Sequence, residues 1–245
     1  ADLAKHCKTN KIKAVGICDS HNLCGALEFS ESIAKTKTQP IIGTQINILY
    51  KNNMGKLPIF AKNLEGYKNL IKLSSKSYLK IEDNEEPHCK VEDLISNYEG
   101  IILLSGSIDG LIGQLFLKNL TDEIILLIKK LKEIYKNNFY LEIQRHNDEG
   151  EKLFENFLLN SSHKLKLPLL ATHEVFYLEQ DMHVVETGLR IGRVRVETTL
   201  IDGGGCVDGA PSGIAHVLEA PFAIDLGARP ERVSGTLYGI GRVDM

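Results

Sequence analysis

Strand-length apolar runs that alternate with helical patterns limit this chain more than any other feature. The runs are Lys13–Cys18, Pro40–Tyr50, Leu57–Ala61, Gly100–Ser105, Phe139–Gln144 and Leu167–Thr172. Helical periodicity lies between several of them. Leu64, Tyr67, Leu70, Ile71 and Leu73 recur at close to 3.6 residues, which predicts a helix over Leu64–Ser75. Over Thr121–Lys136 the acids Asp122 and Glu123 come early and four lysines come late. That order suits a helix dipole, with Thr121 expected as the N-cap. Glu151–Lys164 is a further helix, and Asp2 to Lys8 has helical character. Alternation of this kind predicts an α/β fold, either a mostly parallel sheet or a β/α barrel.

The pattern does not extend to the end of the chain. All 22 lysines lie at or before Lys166, whereas six of the seven arginines lie at or after Arg190. Eleven of the 21 glycines fall within 184–245. A basic-residue switch this complete predicts a boundary: residues 1–183 as one domain, and 184–245 as a separate Gly/Arg-rich, mostly β tail, either a domain of its own or an unrelated joined piece.

In β/α folds the chemistry collects at the carboxyl ends of strands. Asp19 and His21 follow the first run, Thr44 and Gln45 lie in the second, Arg145 and His146 follow the fifth, and His173 and Glu174 follow the sixth. Imidazoles and carboxylates in such places could hold Zn, Mn or Fe. The competing reading makes each histidine a solvated loop residue.

Longer segments carry a resemblance. "AVGICDSHNLCGALEF…QPIIGTQ", "FAKNLEGYKNLIKLSSKSYL", "GIILLSGSIDGLIGQL", "FYLEIQRH" and "LPLLATHEVFYLEQDMH" are similar, in this order, to the polymerase-and-histidinol-phosphatase (PHP) domain of the bacterial replicative DNA polymerase III alpha subunit. The resemblance covers roughly residues 1–183. It implies a PHP-type distorted (β/α)7 barrel, truncated at its N-terminus, with the family's first His-x-His motif lying upstream of residue 1. It also implies a parent DNA-directed DNA polymerase, a nucleotidyltransferase acting in DNA replication, whose palm aspartates hold Mg. Nothing in this chain matches that palm.

The family's metal-binding members sharpen the strand-end question. Asp19 keeps an acid, but Ser20 stands where a histidine is expected and His21 is displaced by one position. Gln45 replaces a glutamate, Lys56 a histidine, and Phe176 the imidazole of a late Asp-x-His whose acid place is taken by Glu174; His146 is kept. The resemblance therefore implies a degenerate remnant at Asp19, His21, His146 and Glu174, with no metal bound by this piece. Zn or Mn would belong only to the alternative, a PHP-class metal-dependent phosphoesterase. DNA and other replicase subunits are the implied partners, through the full-length parent.

The remaining features read simply. The net charge of −3 gives no overall basic field. Cys7, Cys18, Cys24, Cys89 and Cys206 form no CxxC, and with no transmembrane-length apolar run they suggest reduced thiols in the cytoplasm. Ser105–Gly110 lacks the Gly-Lys-Ser/Thr ending of a phosphate loop and reads as a turn. In the tail, Gly203–Gly205, Cys206 and His216 could compose a thiol site, but a glycine-rich turn with an inert cysteine is the expectation.

Overall fold

The computed structural model describes residues 2–175, apart from positions 80, 83 and 147, together with the backbone of two later strands, Ala215–His216 and Leu237–Val243. The proposed boundary at 183/184, Gly203–Gly205 and Cys206 lie outside the described residues.

The elements follow in order: α1 (Asp2–Thr9), β1 (Ala14–Ser20), α2 (Ala26–Ala34), β2 (Gln39–Tyr50), β3 (Asn53–Ala61), α3 (Leu64–Leu79), β4 (Cys89–Lys90), α4 (Val91–Ser96), β5 (Ile101–Leu104), α5 (Leu111–Leu117), α6 (Thr121–Tyr135), β6 (Phe139–Ile143), α7 (Glu151–Leu165), β7 (Leu169–Val175), β8 (Ala215–His216) and β9 (Leu237–Val243). The α/β class is as the alternation requires, and the sheet is curled and mixed rather than mostly parallel. β1–β2, β5–β6 and β6–β7 pair in parallel, but β3 runs antiparallel to both β2 and β5. The cause is local. Only Lys51 and Asn52 separate β2 from β3, with Lys51 at φ 53°, and a two-residue connection can only make a hairpin. β9 pairs antiparallel with β7 from Leu169↔Val243 to Val175↔Leu237, and with β1 at Gly16↔Tyr238 and Ile17↔Leu237.

Two corrections concern helices. Thr121 is the first helical residue of α6 rather than its cap; Leu120 precedes it and gives no side-chain cap bond. The expected helix from Leu64 continues to Leu79.

The core is layered. Cys18, Ile41, Phe60, Leu104, Tyr140 and Leu170 pack together, one from each of β1, β2, β3, β5, β6 and β7, and define the inner face of the sheet. On the outer face, α1 and α2 pack Cys7, Ala26, Phe29 and Ile33 against Ile17 and Ile42. A larger outer cluster joins Ile46, Ile48, Leu57 and Ile59 to α3, α5, α6 and α7.

Candidate functional site at the mouth of the sheet

Side chains alternate along a strand, so the inner layer fixes which later residues share its face. Two steps beyond Cys18 stands Ser20. Four beyond Ile41 stands Gln45, and four before Phe60 stands Lys56. Two and four beyond Tyr140 come Glu142 and Gln144, and two beyond Leu170 comes Thr172. The inner face thus changes from apolar to polar toward the carboxyl ends of β1, β6 and β7. Three family-departing positions, Ser20, Gln45 and Lys56, share this polar rim. Ser20 and Gln45 are register partners across β1 and β2.

Asp19 has the opposite parity. It is buried, and its Oδ2 accepts the Gly25 N–H at 3.3 Å just before α2 begins. Its carbonyl accepts the Thr44 hydroxyl at 2.7 Å. The acid that ends the first apolar run therefore organises the loop into α2.

His21 follows in left-handed backbone, φ 61°. Its N–H donates to the Gln45 carbonyl at 2.8 Å, and its own carbonyl accepts the Ser74 hydroxyl at 2.8 Å. Its ring meets Tyr78 edge-on, 6.4 Å between centroids, and Nδ1 is buried without a hydrogen-bond partner. Burial lowers the imidazole's pKa, the positive charge of Lys56 lowers it further, and Glu86 opposes them.

His146 stands at the other side of the mouth. Its backbone N–H donates to both oxygens of Glu151, at 2.8 and 3.0 Å, and its Nε2 lies 3.2 Å from Gln144 Oε1. Gln144 Nε2 donates to Glu142 and to Thr172, each at 3.0 Å, and the Thr172 hydroxyl donates to Glu142 as well. Glu142 is 1% exposed. This buried Glu142–Gln144–Thr172 network lies within the fifth and sixth apolar runs, whereas the candidates expected there, Arg145, His146, His173 and Glu174, follow those runs. Its signal was an acid inside an apolar run, Phe139-Tyr-Leu-Glu-Ile143. Glu174 is described only as backbone, paired with Tyr238, and Phe176 lies outside the described residues. Among the described residues, no three His, Cys, Asp or Glu side chains come together where they could hold a metal ion.

A curled mixed sheet, helices on its outer face and a polar rim at the strand ends define a PHP-type domain. The family model "PHP domain" matches residues 1–146, and the chain belongs to the PHP family. The DNA polymerase III subunit alpha of Rickettsia prowazekii is 38% identical over 175 residues, covering 71% of this chain and 15% of the relative. Those of Haemophilus influenzae and Caulobacter vibrioides are 31% identical over 182 and 33% over 175 residues, covering 73% and 68% of this chain. The chain thus spans about 15% of the length of the curated relatives it matches. A solved structure titled a metal-dependent phosphoesterase, from Bifidobacterium adolescentis, aligns over 69% of this chain and 79% of its own at a TM-score of 0.45 and 12% identity, too distant to inform the site.

Proposed function

We propose that this chain is the PHP portion of a bacterial replicative DNA polymerase alpha subunit, and that its mouth serves as scaffold rather than as a metal-dependent phosphoesterase. The observation that carries the first half is collinear identity, 38% over 175 residues, with a polymerase alpha subunit. The second half rests on donor chemistry. A divalent ion wants carboxylate and neutral imidazole ligands. Gln45 offers a neutral amide, Ser20 an exposed hydroxyl and Lys56 a cation, while Asp19 is engaged with the α2 loop. The retained His146 lies beside Gln144, which is tied with Thr172 to the buried Glu142. In the parent, the domain braces the polymerase core and meets other replicase subunits in the cytoplasm. Mg for nucleotide transfer belongs to the palm. Residues 184–245 are proposed as a unit of separate origin, on the lysine-to-arginine switch.

The test has two arms. Residues 1–175 replace the matching segment of the Rickettsia prowazekii subunit, and primer extension with Mg is measured; a chimera that folds and extends is expected, and a soluble but inactive one argues against the polymerase assignment. The chain itself, purified without chelator, should carry Zn and Mn well below one per molecule and release no phosphate from a phosphomonoester. A ratio near one with turnover would instead establish the phosphoesterase.

A further inference from the structure

At the end of the sheet opposite the mouth, α6 and α7 run out side by side just before β6 and β7 begin. Between them lies a groove of about 600 Å³ lined by Lys129, Lys132, Lys136, Lys164 and Lys166, with Glu133 as its one acid and Leu165, Leu167 and Pro168 as its apolar lining. We propose that this groove binds the phosphodiester backbone of nucleic acid. The choice of nucleic acid among polyanions rests on the polymerase reading above; the groove's charge does not.

Lysines at helix carboxyl ends are ordinarily explained by the dipole. That explanation falls short here. One carboxylate and two helix ends, each worth about half a negative charge, leave about three of the five ammonium charges uncompensated. Lys132 alone has an internal task, donating Nζ to the Leu165 carbonyl at 2.5 Å and so joining the two helix ends. Lys129, Lys136, Lys164 and Lys166 are exposed. Lys136 and Lys166 end their helices at φ 52° and 49°, where glycine or asparagine is the commoner choice. The excess stands out because the chain as a whole carries −3. A concave, charged trough fits a rod of phosphates. A bilayer surface is flat, and interfacial binding favours exposed aromatic and leucine side chains; this trough has no aromatic lining, and its two leucines, Leu165 and Leu167, are partly or fully buried.

Three uncompensated charges should release about three counterions. The slope of log K against log salt is then about −2.7 on duplex DNA, an affinity loss of about fortyfold between 50 and 200 mM salt. The full chain is titrated into a labelled 20-base-pair duplex and followed by fluorescence anisotropy. Lys129→Gln with Lys164→Gln should cut the slope to about −0.9, so that the same salt change costs only about fourfold. Lys68→Gln with Lys72→Gln on α3, which alters net charge equally, should leave the slope unchanged. Circular dichroism melts confirm that both variants fold. No binding at 50 mM salt, equal slopes for the two variants, or binding to vesicles of anionic lipid but not to DNA overturns the proposal. Because the chimera's extension is read separately, a failed groove leaves the polymerase assignment standing.

Discussion

His21 shows how one residue can carry a pH dependence unrelated to catalysis. Its ring is half-buried, and its pKa is lowered from 6.5 by burial and by Lys56. The unfolded chain takes up the proton near pH 6.5, and the folded chain only at lower pH. Between those values the unfolded state holds more protons, so this group's contribution is present above pH 6.5 and is lost as pH falls toward the folded value. Denaturant melts at pH 7.5 and 5.5 should show lower stability at 5.5. His21→Asn, which tolerates the positive φ, should narrow that difference; an equal difference in the variant assigns it elsewhere. Thr172 offers a second test. Its hydroxyl serves the buried Glu142, and Thr172→Val keeps the shape while removing the donor. A loss of about 1–3 kcal/mol in denaturant melts is expected. The cysteines give a third. Cys24 is exposed, whereas Cys89 is buried and its thiol is pushed up to about 11, by burial first and by Asp93 next. Iodoacetamide at pH 8 should label Cys24 fast and Cys89 only after unfolding, as peptide mapping would show.

The elements were legible where their periodicity is strong. β2, β6 and α7 fall within a residue or two of their apolar patterns. α5 was missed because Leu111-Ile-Gly-Gln-Leu-Phe-Leu117 is short, and Gly113 weakens any helical signal. Gly113 is there for packing: a Cβ would lie 2.0 Å from the Ile108 carbonyl oxygen. The same logic gives an element-scale prediction at α3. Alanine at Gly66 would gain about 1 kcal/mol of helix propensity, but its Cβ would lie 1.9 Å from the Gly100 carbonyl oxygen. That oxygen cannot withdraw freely, since it accepts the Lys62 N–H at 2.8 Å. Overpacking against fixed backbone costs about 1–3 kcal/mol or more, so Gly66→Ala should be net destabilising in a thermal melt. A raised midpoint would show that the turn gives way.

At the scale of the molecule, strand order was the least legible property. The hairpin at Lys51 and Asn52 carries no Asn-Gly or Gly-Gly signal, and β9 pairs with β1 across the length of the chain, Gly16 with Tyr238, and with β7 from Leu169↔Val243 to Val175↔Leu237, which periodicity does not encode. The candidate site was half legible. Ser20, Gln45 and Lys56 came from the family pattern, but that they share a face with Glu142 and Thr172 follows only from the register. Deleting 237–245 removes the antiparallel partner of β7 and opens the edges of β1 and β7. Open edges favour association, so the truncated chain should melt earlier and self-associate in analytical ultracentrifugation. An unchanged melt with a monomeric profile would support residues 184–245 as a unit apart.

Lys56 has one further consequence. An ion that balances buried acids can be stripped by a chelator or left out when the medium is poor in it. The ammonium at the rim of this mouth, close enough to His21 to lower its proton affinity, is covalently part of β3. Its charge arrives with translation and stays through every change of metal supply. At that point of the rim this PHP domain keeps a fixed positive charge in a metal-starved cell and in a replete one alike.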